Sequence, residues 1–163
     1  MVVLEKISRE ELLPLIELAF LGDELLLQYF HISPGALHHC VQHTHSLIDP
    51  YYDNEDFKDH LQAYALKIID SKTGMTGDAI GYTVVSRVPD AIPQLYSFGI
   101  NINHRNKSTI GQWIQQLTEI LGPCYFTQLW DCNTRAINFF ERNNFITTQK
   151  EGYKILLRCQ QED

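Results

Sequence analysis

GININHRNKSTIGQWIQQL, Gly99 to Leu117, carries an extended run into a polar turn and straight out into a helical periodicity. Asn103, His104, Arg105, Asn106, Lys107, Ser108 and Thr109 supply the turn with basic, amide and hydroxyl groups. Ile110, Trp113, Ile114, Leu117, Ile120 and Leu121 then recur on one helical face. Where a strand gives way at once to a helix, the first N–H groups of the helix point at whatever lies over the turn, and such a site suits an anion. The competing reading is an ordinary polar connection between a strand and a helix.

Working outward, VVLEKI (Val2 to Ile7) reads as a first strand, and Ser8 with Glu11 makes a capping box for a helix bearing Leu12, Leu15, Ile16 and Leu18. DELLLQYF from Asp23 predicts a second helical piece, and GALHHCVQHTHSLI after Pro34 a third. HLQAYALKIID (His60 to Asp70) and AIGYTVVSRV (Ala79 to Val88) are rich in alternating and β-branched residues, which predicts an antiparallel hairpin turning through SKTGMTGD. QLYSFGIN is a further strand leading into the opening stretch. CYFTQLWD (Cys124 to Asp131) follows as a strand, Asn133 caps a helix running to about Arg142, and FITTQKEGYKILLRC closes as a hairpin turning at Lys150 to Gly152. Strand, helices, three strands, helix, strand, helix and two strands make a mixed α/β sheet with helices packed on it.

With 163 residues and 44% hydrophobic content the chain suits one domain, 1-163, with a full core. The start lacks a basic leader and cleavage site, and no apolar run is long enough to cross a bilayer, so a soluble cytoplasmic protein without membrane contact is expected. The net charge of −7 argues against nucleic-acid binding and favours, mildly, a cationic partner. Cys40, Cys124, Cys132 and Cys159 lack CxxC spacing, which predicts reduced and mostly buried thiols rather than a zinc knuckle or a disulfide framework. In HHCVQHTH (His38 to His45), His39 and His43 share a helical face near Cys40 and His45; without a HExxH glutamate or a second ligand pair, polar helix surface is expected there and no metal.

Two stretches resemble the GNAT N-acetyltransferase superfamily. In that family an apolar strand end is followed by arginine or glutamine, two residues, glycine, one residue, and glycine or alanine; here Ile100 and Arg105 match, Ser108 and Ile110 stand at the two small positions, and Gly111 comes one residue late. LWDCNTRAINFFERNNF (Leu129 to Phe145) resembles the family's strand, asparagine, alanine, aromatic helix and terminal phenylalanine, with Asn144 in place of the usual glycine. The resemblance implies a mostly antiparallel central sheet with helices on both faces and a splayed pair of central strands. It implies acetyl-CoA as the cofactor and an amine, on a small molecule or a protein and in keeping with the charge a cationic one, as the acceptor that attacks directly.

On this resemblance Arg105, Lys107, Ser108, Thr109, Ile110 and Gly111 form the pyrophosphate turn. Ile100, Ile102 and Asn133 contact pantetheine, a backbone N–H near Ile100 or Ile102 stabilises the oxyanion, and Phe140 closes part of the acyl channel. Phe140 also stands where the family has a tyrosine that protonates the leaving thiolate, and a phenylalanine cannot donate a proton. Tyr125 and Cys132 are the substitute acids to consider, Tyr96 and Asp131 the candidate bases, and Glu24, Tyr29 and His31 lie in the acceptor region. The alternative is a catalytically silent acyl-CoA-binding or protein-interaction module. Oligomeric state, a homodimer included, stays open in the sequence.

Overall fold

The computed structural model describes residues 1–21, 23, 37–54 and 60–159. Its elements are β1 (Val2–Lys6), α1 (Arg9–Phe20), α2 (Leu37–Asp53), β2 (Leu61–Ile69), β3 (Thr76–Ser86), β4 (Gln94–Ile100), a short 3₁₀ turn (Ile102–His104), α3 (Lys107–Leu121), β5 (Cys124–Trp130), α4 (Thr134–Arg142), β6 (Ile146–Lys150) and β7 (Tyr153–Cys159). The strands form one seven-stranded sheet in the order β1-β2-β3-β4-β5-β7-β6. Every neighbouring pair is antiparallel except β4–β5, which is parallel.

The periodicities choose the faces. Trp113, Ile114, Leu117 and Leu121 of α3 with Ile137 and Phe140 of α4 bury against Leu95, Ile100, Tyr125 and Leu156 on one face of the sheet. Leu12, Ile16 and Ala19 of α1 with Val41 and Ile48 of α2 bury against Ala63, Tyr82 and Val84 on the other. Alternate residues of β3 thus feed both cores, as a two-faced strand must. Asn144 closes α4 at φ 70°, the left-handed conformation that asparagine accepts more readily than other non-glycine residues.

One irregularity organises the middle of the sheet. Val84 faces Ser97 while Val85 faces Leu95, so Tyr96 is an extra residue that bulges β4. A bulge bends the strand that carries it. Beyond it β4 leaves β5, and the two pair only at Gln94 with Phe126 and Leu95 with Thr127. The expected splayed pair is present and Tyr96 marks its apex.

Two expectations change. Ser8 is the N-cap residue of α1 without a side-chain capping bond; its hydroxyl lies 3.0 Å from Glu11 Oε1, satisfied by the carboxylate instead of by the backbone. Cys124 and Cys159 are directly opposed residues of β5 and β7 and form a disulfide, and Cys132 is exposed, so these cysteines are not the reduced, buried thiols expected. The spacing rules could not see a pair brought together by strand register. The second helical piece predicted from Asp23 onward lies outside the described residues apart from Asp23 itself, as do Glu24, Tyr29 and His31. The described helices include none long and apolar enough to cross a membrane.

Candidate active site

The gap between β4 and β5 opens into a cleft of about 740 Å³. Tyr96, Phe98 and Ile100 of β4 line one side, and Leu129, Trp130 and Ala136 the other. The end of α1 forms part of the rim, because Gly99 lets it sit directly on the sheet. A Cβ at Gly99 would lie 2.7 Å from the Ala19 Cβ.

The backbone of β4 is what the cleft exposes. The Asn101 N–H donates to the Ile80 carbonyl on β3 at 2.7 Å, whereas the Ile100 carbonyl accepts from Arg105 Nε at 2.6 Å. Since N–H and C=O groups alternate sides along a strand, the N–H groups of Phe98 and Ile100 point away from β3 and into the gap. Below the apex β5 would occupy that edge; above it neither N–H has an acceptor among the described residues.

The turn after β4 is held firmly. Buried Asn101 donates from Nδ2 to the Leu18 carbonyl at 2.8 Å and accepts from the Asn103 N–H at 3.1 Å. Arg105 bonds the Ile100 carbonyl and forms an ion pair with Asp23, which is only 2% exposed; Arg135 lies 3.8 Å from the same carboxylate. Asn106 caps α3 by accepting from the Thr109 N–H at 2.9 Å, and the Ile110 N–H bonds the Asn106 carbonyl at 3.0 Å. The first two N–H groups of the helix, on Lys107 and Ser108, have no acceptor among the described residues and face outward with the positive end of the helix dipole.

Electrostatics in the cleft oppose those of the whole chain. Arg105, Arg135 and Arg142 line it, and among the described residues the sole carboxylate there is Asp23. Tyr96 is pushed up to about 12, first by burial and then by its hydrogen bond with Tyr51. It is a phenol at neutral pH, able to donate a hydrogen bond and unsuited to act as a base. Tyr82 also lines the cleft, with its hydroxyl 2.9 Å from Ser97 Oγ.

No sequence-family model matches the chain, and no curated protein matches it. Solved structures do match over nearly its whole length. The paia N-acetyltransferase of Thermoplasma acidophilum, in complex with coenzyme A, aligns with a TM-score of 0.71 at 14% identity over 98% of this chain and 99% of that one. An acetyltransferase from Thermus thermophilus aligns at 0.67 and 14% identity, over 97% and 96%. A probable acetyltransferase of the GNAT family from Chromobacterium violaceum aligns at 0.64 and 10%, over 97% and 82%. The chain has the GNAT fold.

Within the GNAT fold the residues singled out in the sequence divide. Tyr96, Ile100, Arg105, Ile110 and Asn133 line the cleft. Lys107 and Ser108 are exposed at the start of α3 beside it, with Thr109 half-buried. Gly111 has open space where a Cβ would stand, so no contact within the chain demands a glycine there. Ile102 sits half-exposed in the 3₁₀ turn and is not among the lining residues.

Besides Ile102, the candidate acids and base Tyr125, Cys132 and Asp131 fall away from the cleft, and Phe140 is displaced by its neighbour. Tyr125 is fully buried in the α3-side core, its hydroxyl 3.2 Å from Thr118 Oγ1 and its acidity further weakened by burial. Asp131 is exposed past the end of β5 and does not line the cleft, and the same holds for Cys132. Phe140 is fully buried among Phe98, Trp113, Phe139 and Phe145, so it is Phe139, one residue earlier, that faces the cleft. Arg105 lines the cleft with its guanidinium committed to the fold. Its tie to Asp23 could not be read from spacing, because Asp23 belongs to a distant stretch of the chain.

Among the described residues no group of three metal-ligating side chains comes together. His43 is exposed on α2, and His45 lies 3.9 Å from Asp49; the side chains of His38, His39 and Cys40 lie outside the described ones.

Proposed function

We propose that this chain is an N-acetyltransferase that binds acetyl-CoA in the β4–β5 cleft and moves the acetyl group to a primary amine of a small molecule or protein. The observation that carries the reading is the split itself: a strand edge with two N–H groups, of Phe98 and Ile100, unmatched among the described residues and bordering a cleft with apolar walls and a rim of arginines. An extended arm bearing amides can lie along such an edge as an added strand would. The neighbouring groups suit the rest of the ligand. The N–H groups of Lys107 and Ser108 and the dipole of α3 favour a pyrophosphate, and Arg135 and Arg142 offer further cationic contacts. Ala136 keeps the wall of the cleft low where a larger side chain would stand in the way. The bound cofactor would supply an activated acyl thioester.

The chain's own residues orient and shield. The N–H groups of Phe98 and Ile100 are donors fixed before any ligand arrives, which is where negative charge on a carbonyl oxygen is best stabilised. Tyr96 at the apex is a neutral phenol in contact with the cleft. Asp23 is held by Arg105 and faces Arg135, and the acceptor amine would attack in its neutral form, its proton having passed to solvent.

Lys107→Glu tests the turn. Exposed at the first position of α3, it replaces a favourable charge by a repulsive one beside the pyrophosphate without disturbing packing. Coenzyme A affinity is expected to fall about tenfold, equal to ~1.4 kcal/mol, and the loss should shrink as salt is added. Unchanged affinity would place the pyrophosphate somewhere else.

The second reading, an acyl-CoA-binding module without turnover, is favoured by one observation. Phe140, at the position where the resembled family has its tyrosine acid, is sealed into the core. Binding of acetyl-CoA with no acetylation across a panel of primary amines would select it; release of free thiol dependent on an added amine would select the enzyme. A thiol is acidic enough, near pKa 8.5, to leave without a dedicated donor at reduced rate.

A further inference from the structure

The two edges of the sheet are treated differently. At β1 the outward N–H groups of Val2 and Leu4 donate to the side chains of Gln112 and Gln116 on α3, at 2.8 and 3.4 Å. That edge is blunted by its own helix. At the opposite edge, β6, nothing among the described residues does the same.

Hairpin geometry fixes which groups of β6 are bare. The turn between β6 and β7 holds Glu151 and Gly152, and Lys150 faces Tyr153 across it. The Gly152 carbonyl accepts from the Asp131 N–H on the β5 side, so Gly152, Lys154 and Leu156 turn toward β5 and Tyr153, Ile155 and Leu157 toward β6. Their partners Lys150, Thr148 and Ile146 are therefore bonded inward. Thr147 and Gln149 point both N–H and C=O outward, with no acceptor or donor among the described residues. Exposed edges of this kind pair with other strands unless charge, proline or a covering element prevents it. The strand ITTQK holds no proline, and its one charge is at the end.

We propose that the chain forms a two-fold dimer by antiparallel pairing of β6 with β6 of a second copy, centred on Thr148. The register is set by the bare groups. With Thr148 on the axis, Thr147 of each copy faces Gln149 of the other, and each such pair exchanges two hydrogen bonds. The single charge of the strand does not oppose itself in this register: Lys150 faces Ile146 and no like charges meet. Ile146, 71% exposed, lies on the same side of the strand as Thr148 and Lys150 and is covered by the aliphatic stem of the second copy's lysine. A second copy fits this edge because the bare groups of Thr147 and Gln149 meet their own counterparts under the two-fold, Ile146 is covered and no like charges oppose each other. Among the described residues each molecule has one such outer edge, so pairing closes at two copies and leaves the blunted β1 edges outside. The inference does not depend on which ligand occupies the cleft.

Sedimentation equilibrium of the purified full chain, run from micromolar to submillimolar concentration, tests it. The wild-type chain is expected to be a monomer–dimer system. Thr148→Lys sets two ammonium groups opposite each other at the closest pair and should raise the dimer dissociation constant about tenfold or more. Thr148→Val, with the same shape and no charge, should leave it near wild type. Gln149→Pro removes an outward N–H at an edge position that tolerates proline and provides a second variant should the lysine variant fold poorly. A wild-type chain that stays monomeric throughout, or a dimer untouched by both Thr148→Lys and Gln149→Pro, overturns the proposal.

Discussion

Trp113→Ala should lower the free energy of unfolding by about 5 kcal/mol, the largest loss expected from any single substitution considered. Trp113 is fully buried and packs against Phe98, Phe139 and Phe140 with ring centroids 5.1, 6.4 and 6.1 Å away. Its indole N–H donates to Thr83 Oγ1 at 3.0 Å, a bond between two fully buried groups from α3 and β3. Truncation to alanine therefore removes the largest side chain of this core and leaves a hydroxyl without its donor. Small domains are stable by only about 5–15 kcal/mol, so the variant should stand close to the edge of folding. Urea titration reads the effect as a lower midpoint at unchanged slope. Trp113→Phe should recover most of the loss, and the remainder reports on the stranded Thr83. A cost below about 2 kcal/mol would mean that α3 is not anchored to the sheet at this point.

The second large effect belongs to Arg105, where two roles for one residue part company. The sequence resemblance assigns Arg105 to a pyrophosphate turn, which predicts weaker coenzyme A binding and an undisturbed fold on truncation. The structure has its guanidinium on the Ile100 carbonyl and the Asp23 carboxylate, the latter 2% exposed. Breaking a buried ion pair from one side leaves the other charge poorly compensated and costs about 3–5 kcal/mol. Arg105 itself is 22% exposed, so the lower figure, about 3 kcal/mol, is expected for Arg105→Ala. Arg135, 3.8 Å from the same carboxylate, limits the loss further. Denaturation of Arg105→Ala in the absence of ligand decides between the roles. Wild-type stability with weakened coenzyme A binding would return Arg105 to the phosphates.

Much of this architecture was legible because it follows from local pattern. The periodicity of Ile110, Trp113, Ile114 and Leu117 marks a helix with one buried face, and alternation in β2 and β3 marks a hairpin. The order of elements then restricts the topology. Asn133 and Asn144 announce the two ends of α4 by chemistry that acts within a few residues: Asn133 accepts from the Ala136 N–H at 3.4 Å, and Asn144 adopts φ 70°.

Long-range pairing was not legible. The Asp23–Arg105 ion pair and the Cys124–Cys159 disulfide join residues far apart in sequence, and only the register of the folded sheet brings the cysteines together. The bulge at Tyr96 was also hidden, because an extra residue in a strand leaves the apolar alternation nearly intact. Yet that bulge is what bends β4 away from β5. The choice between Phe139 and Phe140 for the cleft likewise depended on how α4 is rotated against the sheet, a difference of one helical step that composition cannot resolve.

The functional reading rests on the cleft between β4 and β5, and calorimetric titration of the ligand-free chain with acetyl-CoA and with free coenzyme A probes that cleft directly. Saturable binding of both is expected at one site per chain, weakened for both by Lys107→Glu. Absence of binding by either, in a chain shown by its urea transition to be folded, would contradict the reading.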